Sequence, residues 1–212
     1  MTRRGRVASV GAALVLSLGA RQVPPTGDLV DRVLAVAARQ IVMLSDVRAF
    51  LELGLVEPPA SGDPVNYTLT TLIERQLVLD EVGRYVVQEP SRGEVDTRLA
   101  AVIDHVGGEE ALAAVLPGVG FTVDDLRRVL QDDLRIERYL ARRFPGARRP
   151  TEEELDDYLR EHSDETRTNG RLQTREDVRQ AALDRLTQQF RQESIDDWVT
   201  SLTLRADVFR VP

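Results

Sequence analysis

Cysteine and lysine are both absent from the 212 residues, and aromatic side chains make up only 5%. Without cysteine, the chain has no disulfide, thiolate nucleophile, cysteine-ligated zinc or cysteine-linked lipid anchor. Without lysine, arginine carries all the positive charge, and the balance is still acidic, at −7. An acidic chain with few rings argues against a nucleic-acid surface, which needs cations beside stacking aromatics. Histidine occurs only as His105 and His162, and neither has neighbours at metal-ligand spacing. Glycine is scattered, with no phosphate-cradling loop. Ser45 has no histidine at a usable spacing. The acidic clusters Glu109-Glu110, Asp132-Asp133 and Glu152 to Asp157 read as solvated faces, and Glu152 to Glu154 also favour the positive end of their helix. No motif points to an enzyme, so neither a catalytic residue, a cofactor nor a metal site is expected.

What is present is foldable. Hydrophobic residues are 42% and charged residues 30%, and the length suits one domain or slightly more. Residues 1–20 read as an export signal: Arg3, Arg4 and Arg6 precede the uncharged run Val7 to Ala20. The run is short for a bilayer span. Leu18 stands where a small residue is usual before a cut, so an uncleaved N-terminal anchor is the alternative. Loss of residues 1–20 removes three arginines and no acid, which takes the net charge from −7 to −10. The expectation is an exported, periplasmic protein without stable membrane insertion.

Residues 21–28 form a Pro-Pro and Thr-Gly lead-in. The stretch Leu29 to Leu55 reads as strand, turn over Ala37 to Gln40, strand, then a helix with Ser45-Asp46 at its N-cap. Two short strands bury too little to stand alone, so the hairpin needs a further strand and a helical layer. The breaker-rich Glu57 to Pro64 precedes a helix over about 65–87, with Asp63 as cap and Pro64 at its first position. Helices follow over 92–106, 109–116 and about 123–143. The last of these starts at a Thr122/Asp125 capping box. A second box, Thr151/Glu154, starts a short acidic helix to Glu161. Residues 163–174 read as a polar linker. A long helix over about 175–204 and a terminal strand within 206–211 complete the chain. The fold class is mainly α (α+β), with a small antiparallel sheet.

The order of these elements resembles the SurA-like periplasmic chaperones. The resemblance rests on Val30, Asp31, Val33, Ala35, Val36, Ile41, Leu44, Ser45 and Asp46 at the opening hairpin. It continues with Leu72 to Glu81, Ser91 to Ala101, Phe121 to Tyr139, Pro150 to His162 and Arg175 to Val211. The turn Ala37-Ala38-Arg39 departs from the Val-Asn usual there. Family members carry one or two parvulin-type prolyl isomerase modules, each on the order of 90–100 residues, between the acidic helix and the returning helix. Only residues 163–174 occupy that place, so no isomerase fits. The resemblance implies a chaperone core over 29–212 (29–162, the linker, then 175–212), its terminal strand pairing with the hairpin. It implies a holdase for unfolded polypeptides, including outer-membrane proteins in transit, with no isomerase activity of its own. Candidate peptide-binding residues on the broad apolar faces are Phe50, Leu53, Phe121 and Tyr139. The alternative is an envelope adaptor that binds one dedicated partner through the same fold.

Overall fold

Three short strands make one antiparallel sheet in the order β2-β1-β3, and the third strand comes from the far end of the chain. The computed structural model describes residues 31–146, 148–162 and 175–211. The expected export segment and lead-in, and the linker 163–174, lie outside them. Among the described residues the elements are β1 (Val33–Ala37), β2 (Gln40–Met43), α1 (Leu44–Glu52), α2 (Pro64–Val82), α3 (Arg92–Val106), α4 (Glu109–Gly118), α5 (Val123–Arg143), α6 (Glu152–Glu161), α7 (Arg175–Arg205) and β3 (Phe209–Arg210). The chain is mainly helical with a small three-stranded sheet.

The hairpin turn is tighter than the sequence suggests. Ala37 pairs with Gln40, which leaves only Ala38 and Arg39 in the loop. Both adopt positive φ, 49° and 65°. Two consecutive positive φ values are the mark of the type I′ turn, whose twist matches the flanking strands. Neither residue is a glycine or asparagine, so the local sequence hides the turn. β3 then pairs with β1 at Val36↔Phe209 and Ala35↔Arg210, and the Val211 N–H donates to the Leu34 carbonyl at 2.8 Å. Both ends of the described core therefore meet in one sheet.

The first helix corrects one expectation. α1 begins at Leu44 with Met43 as its N-cap, so Ser45 lies inside the first turn. Asp46 Oδ2 accepts the Met43 N–H at 2.8 Å, in the manner of a capping box. Ser45 is tied instead to Asp31. Its N–H donates to Asp31 Oδ1 at 3.1 Å and its hydroxyl donates to Asp31 Oδ2. A carboxylate just before β1 thus satisfies a free amide at the start of α1, fixing the return of the chain. Burial pushes the Asp46 carboxyl above the usual carboxylate range, while its bond from Met43 opposes that and the Asp31 charge adds to it.

α2 is also shorter than expected. It stops at Val82, and Gly83 caps it. Val86 is then 91% exposed rather than a helical core residue. The Pro117-Gly118 pair, expected to end α4, instead forms its last turn. The caps of α5 and α6 stand where the sequence puts them, at Thr122 and Thr151, and Ser91 caps α3 in the same way; each accepts the backbone N–H three residues on.

Four apolar clusters follow. The sheet packs on α1 and α2 through Ala35, Val42, Val47, Phe50, Leu69 and Ile73. On the other side of α1, Leu53 joins α3, α4 and α5. α2, α5 and α7 meet around Val78, Val82, Tyr139, Trp198 and Leu202. α6 packs on the first half of α7 through Leu155, Ala182 and Leu186. α7 thus serves two cores with different faces along its length, which explains why its 31 residues show no single apolar stripe. Rings reinforce the third cluster: Tyr139 lies 5.4 Å from Tyr85 and 5.8 Å from Trp198, centroid to centroid.

Candidate functional site

An apolar concavity in the helical layer lies where α2, α5 and α7 converge beside the end of α1. It has a volume of about 460 Å³. Its floor is Phe50, Val56, Val78, Ile136, Ile195 and Val199. Thr71, Glu74, Arg75, Asp133, Gln192 and Asp196 supply its polar wall and rim. The periodicity that builds it is simple. Residues three, four and seven apart share one helix face, so Thr71, Glu74, Arg75 and Val78 come from one strip of α2, and Gln192, Ile195, Asp196 and Val199 from one strip of α7. These strips mix apolar and charged residues, which is the composition of a face that meets both core and solvent.

Arg75 organises the wall. Its Nε donates to Asp133 Oδ1 at 2.7 Å and its Nη2 donates to the Val129 carbonyl at 3.0 Å. The guanidinium also lies over the Phe50 ring, 5.6 Å from its centroid. One arginine therefore links α1, α2 and α5. Burial pushes the Asp133 carboxyl up, and the Arg75 charge and hydrogen bond pull it back.

Glu74 and Asp196 face the cleft from opposite helices. Neither has an ion-pair partner among the described residues, although Gln192 donates to Asp196 at 2.8 Å. Burial, and then the nearby Asp196 charge, push the Glu74 carboxyl above its ordinary range; Arg210 opposes this. Arg210 itself donates to Asn66 Oδ1 at 3.1 Å and to Thr70 Oγ1 at 3.0 Å, so β3 reaches α2 by side chains as well.

The four residues singled out from the sequence fall in three separate clusters, and only Leu53 and Phe121 share one. Phe50, 5% exposed, forms part of the cleft floor and of the core beneath. Leu53 is fully buried and borders a second concavity, of about 420 Å³, with Gly54 and His105. Phe121 is half-buried against the α3–α5 cluster. Tyr139 is buried in the ring cluster with Trp198. The functional candidates that sequence reading missed are Glu74, Arg75 and Asp196. Their only signal was charge at positions a helix period apart from core residues.

A further apolar feature lies on the sheet. Ile41, Val36 and Phe209 stand in register across all three strands. Ile41 and Phe209 are 57% and 66% exposed. Among the described residues no group of three or more histidine, cysteine or acidic side chains is placed to hold a metal ion. No helix among them is long and apolar enough to cross a membrane. Neither a family model nor a curated protein matches this chain.

Proposed function

We propose that this protein is an exported chaperone core of the SurA-like kind, without an isomerase module, that holds unfolded polypeptides in the cell envelope. The observation that carries this reading is the closure of the N-terminal hairpin by the C-terminal strand, Val36 against Phe209. It sets the ends of the core together, and in the sequence only residues 163–174 separate α6 from α7, which pack on each other. That is where a catalytic module of the resembled family would be inserted. The open cleft is the second support. An apolar floor with a charged rim suits weak, reversible burial of exposed client side chains, which needs no nucleotide. Outer-membrane proteins in transit are the expected clients.

A second reading, an adaptor for one dedicated partner, draws on the exposed sheet row Ile41, Val36 and Phe209. A patch of that kind suits a fixed interface. Client breadth separates the two. A fluorescently labelled outer-membrane protein and an unrelated protein, both held unfolded, are each titrated with this chain. The chaperone reading expects binding of both and no binding of the folded form of the second. Binding of neither would leave the adaptor. A proline-peptide isomerase assay should stay at background, and turnover there would contradict the missing module.

A further inference from the structure

The cleft carries more negative charge than its own arginine neutralises. Three carboxylates, Glu74, Asp133 and Asp196, line it against the single guanidinium of Arg75. Arg75 is committed to Asp133, to the Val129 carbonyl and to the Phe50 ring. Arg210 is held by Asn66 and Thr70 and reaches Glu74 only through space. Glu74 and Asp196 are left facing each other across an apolar floor, and they repel. A cation entering between them would relieve that repulsion, and at the part-buried Glu74 the contact is screened less than in open water.

We propose that the cleft seats an extended polypeptide segment by one large apolar side chain, with an arginine or lysine next to it in sequence reaching Glu74 and Asp196. This rests on the reading of the chain as a holdase, and it names the client chemistry the holdase prefers. The apolar anchor enters over Val78, Ile136, Ile195 and Val199, which supply burial without direction. The two carboxylates supply the discrimination: an acidic flank meets like charge, and a neutral one forgoes the attraction. The volume of about 460 Å³ is that of a site for one or two side chains rather than a folded surface.

The test uses three fluorescein-labelled unstructured peptides that share a single phenylalanine and differ only in the residue beside it: arginine, glutamine or glutamate. Anisotropy titrations with the full chain should rank them in that order. The arginine peptide should bind about five- to tenfold more tightly than the glutamine peptide, as expected for two partly exposed charge contacts. Higher salt should compress the difference. Glu74→Gln with Asp196→Asn should bring the arginine peptide down to the glutamine peptide. Asp196→Asn alone, at an exposed position that folding tolerates, should remove part of the gap. Equal binding of all three peptides, or a gap that survives both substitutions, overturns the proposal if unfolded clients are still bound. Loss of all peptide and client binding would overturn the holdase reading with it.

Discussion

Phe209 lies directly opposite Val36 across β1 and β3, so the last strand of the chain completes the sheet begun by the first. Ala206 and Val208, just before that strand, pack against the sheet–α1–α2 cluster. Deletion of residues 206–212 removes the third strand and exposes that packing. Val208 is only part-buried there, so its packing contributes less than the about 1.5–3 kcal/mol of a fully buried valine, and the lost strand hydrogen bonds add to it. The truncated chain should therefore melt several degrees lower by circular dichroism, at about 2–4 °C per kcal/mol for a chain of this size. An unchanged melt would mean that the strand pairing contributes nothing.

The hairpin loop offers a gain rather than a loss. Ala38 and Arg39 hold positive φ without the residues that favour it. An L-residue with a side chain pays roughly 1–2 kcal/mol to sit there, and asparagine and glycine pay less. Ala38→Asn with Arg39→Gly should raise stability by about 1 kcal/mol, read as a higher urea midpoint at unchanged slope. Arg39 makes only a long 4.0 Å ion pair with Asp80 from a 93% exposed side chain, so little is lost with it.

Gly54 shows the opposite constraint. Its φ is +64°, and a Cβ there would overlap the end of the exposed His105 ring. Gly54→Ala should destabilise by roughly 1–2 kcal/mol, the cost of the backbone conformation, because the exposed His105 ring can swing aside. His105→Ala in the same chain should leave that cost unchanged. A neutral Gly54→Ala would mean that residue 54 does not hold the left-handed conformation.

Two exposed capping-box glutamates should give the chain an acid limb. Hydrogen bonds from the Ser91 hydroxyl and backbone, and then from Arg138, hold Glu94 at about 2. Arg148, and then Thr151, do the same for Glu154, also to about 2. Both carboxyls are depressed below their unfolded values. Their contribution is thus present above the unfolded pKa, near 4.5, and is lost as pH falls toward 2. Glu94→Gln with Glu154→Gln should lower the urea midpoint at pH 7, and the gap to the unaltered chain should narrow by pH 3. Asp133, Glu74 and Asp46 are pushed the other way by burial, so they oppose this limb rather than create it. A gap that widens on acidification would contradict the sign.

Most of the helices were legible because their signals are local. Ser91, Thr122 and Thr151 each carry an acid three residues on, and each cap forms as that spacing implies. The sheet partner of β1 was reachable only through resemblance, since nothing in Phe209-Arg210 itself names Val36. The hairpin turn was hidden because Ala38 and Arg39 are ordinary residues in unusual conformations. Ser45 misled because serine before an apolar run is the usual sign of an N-cap; the side chain answers to Asp31 instead, a contact across the hairpin. The cleft was illegible for a different reason. An apolar residue at a helical period gives the same signal whether it faces core or groove, so Tyr139 and Leu53 were indistinguishable from Val78 and Ile195.

Light scattering reads most directly what the chain does to unfolded proteins. Two unrelated urea-unfolded proteins, one of them an outer-membrane protein, are diluted into buffer with and without this chain. Suppression of aggregation for both at near-stoichiometric ratio is the result expected of a holdase. Aggregation of both at the rate seen in buffer alone would contradict it.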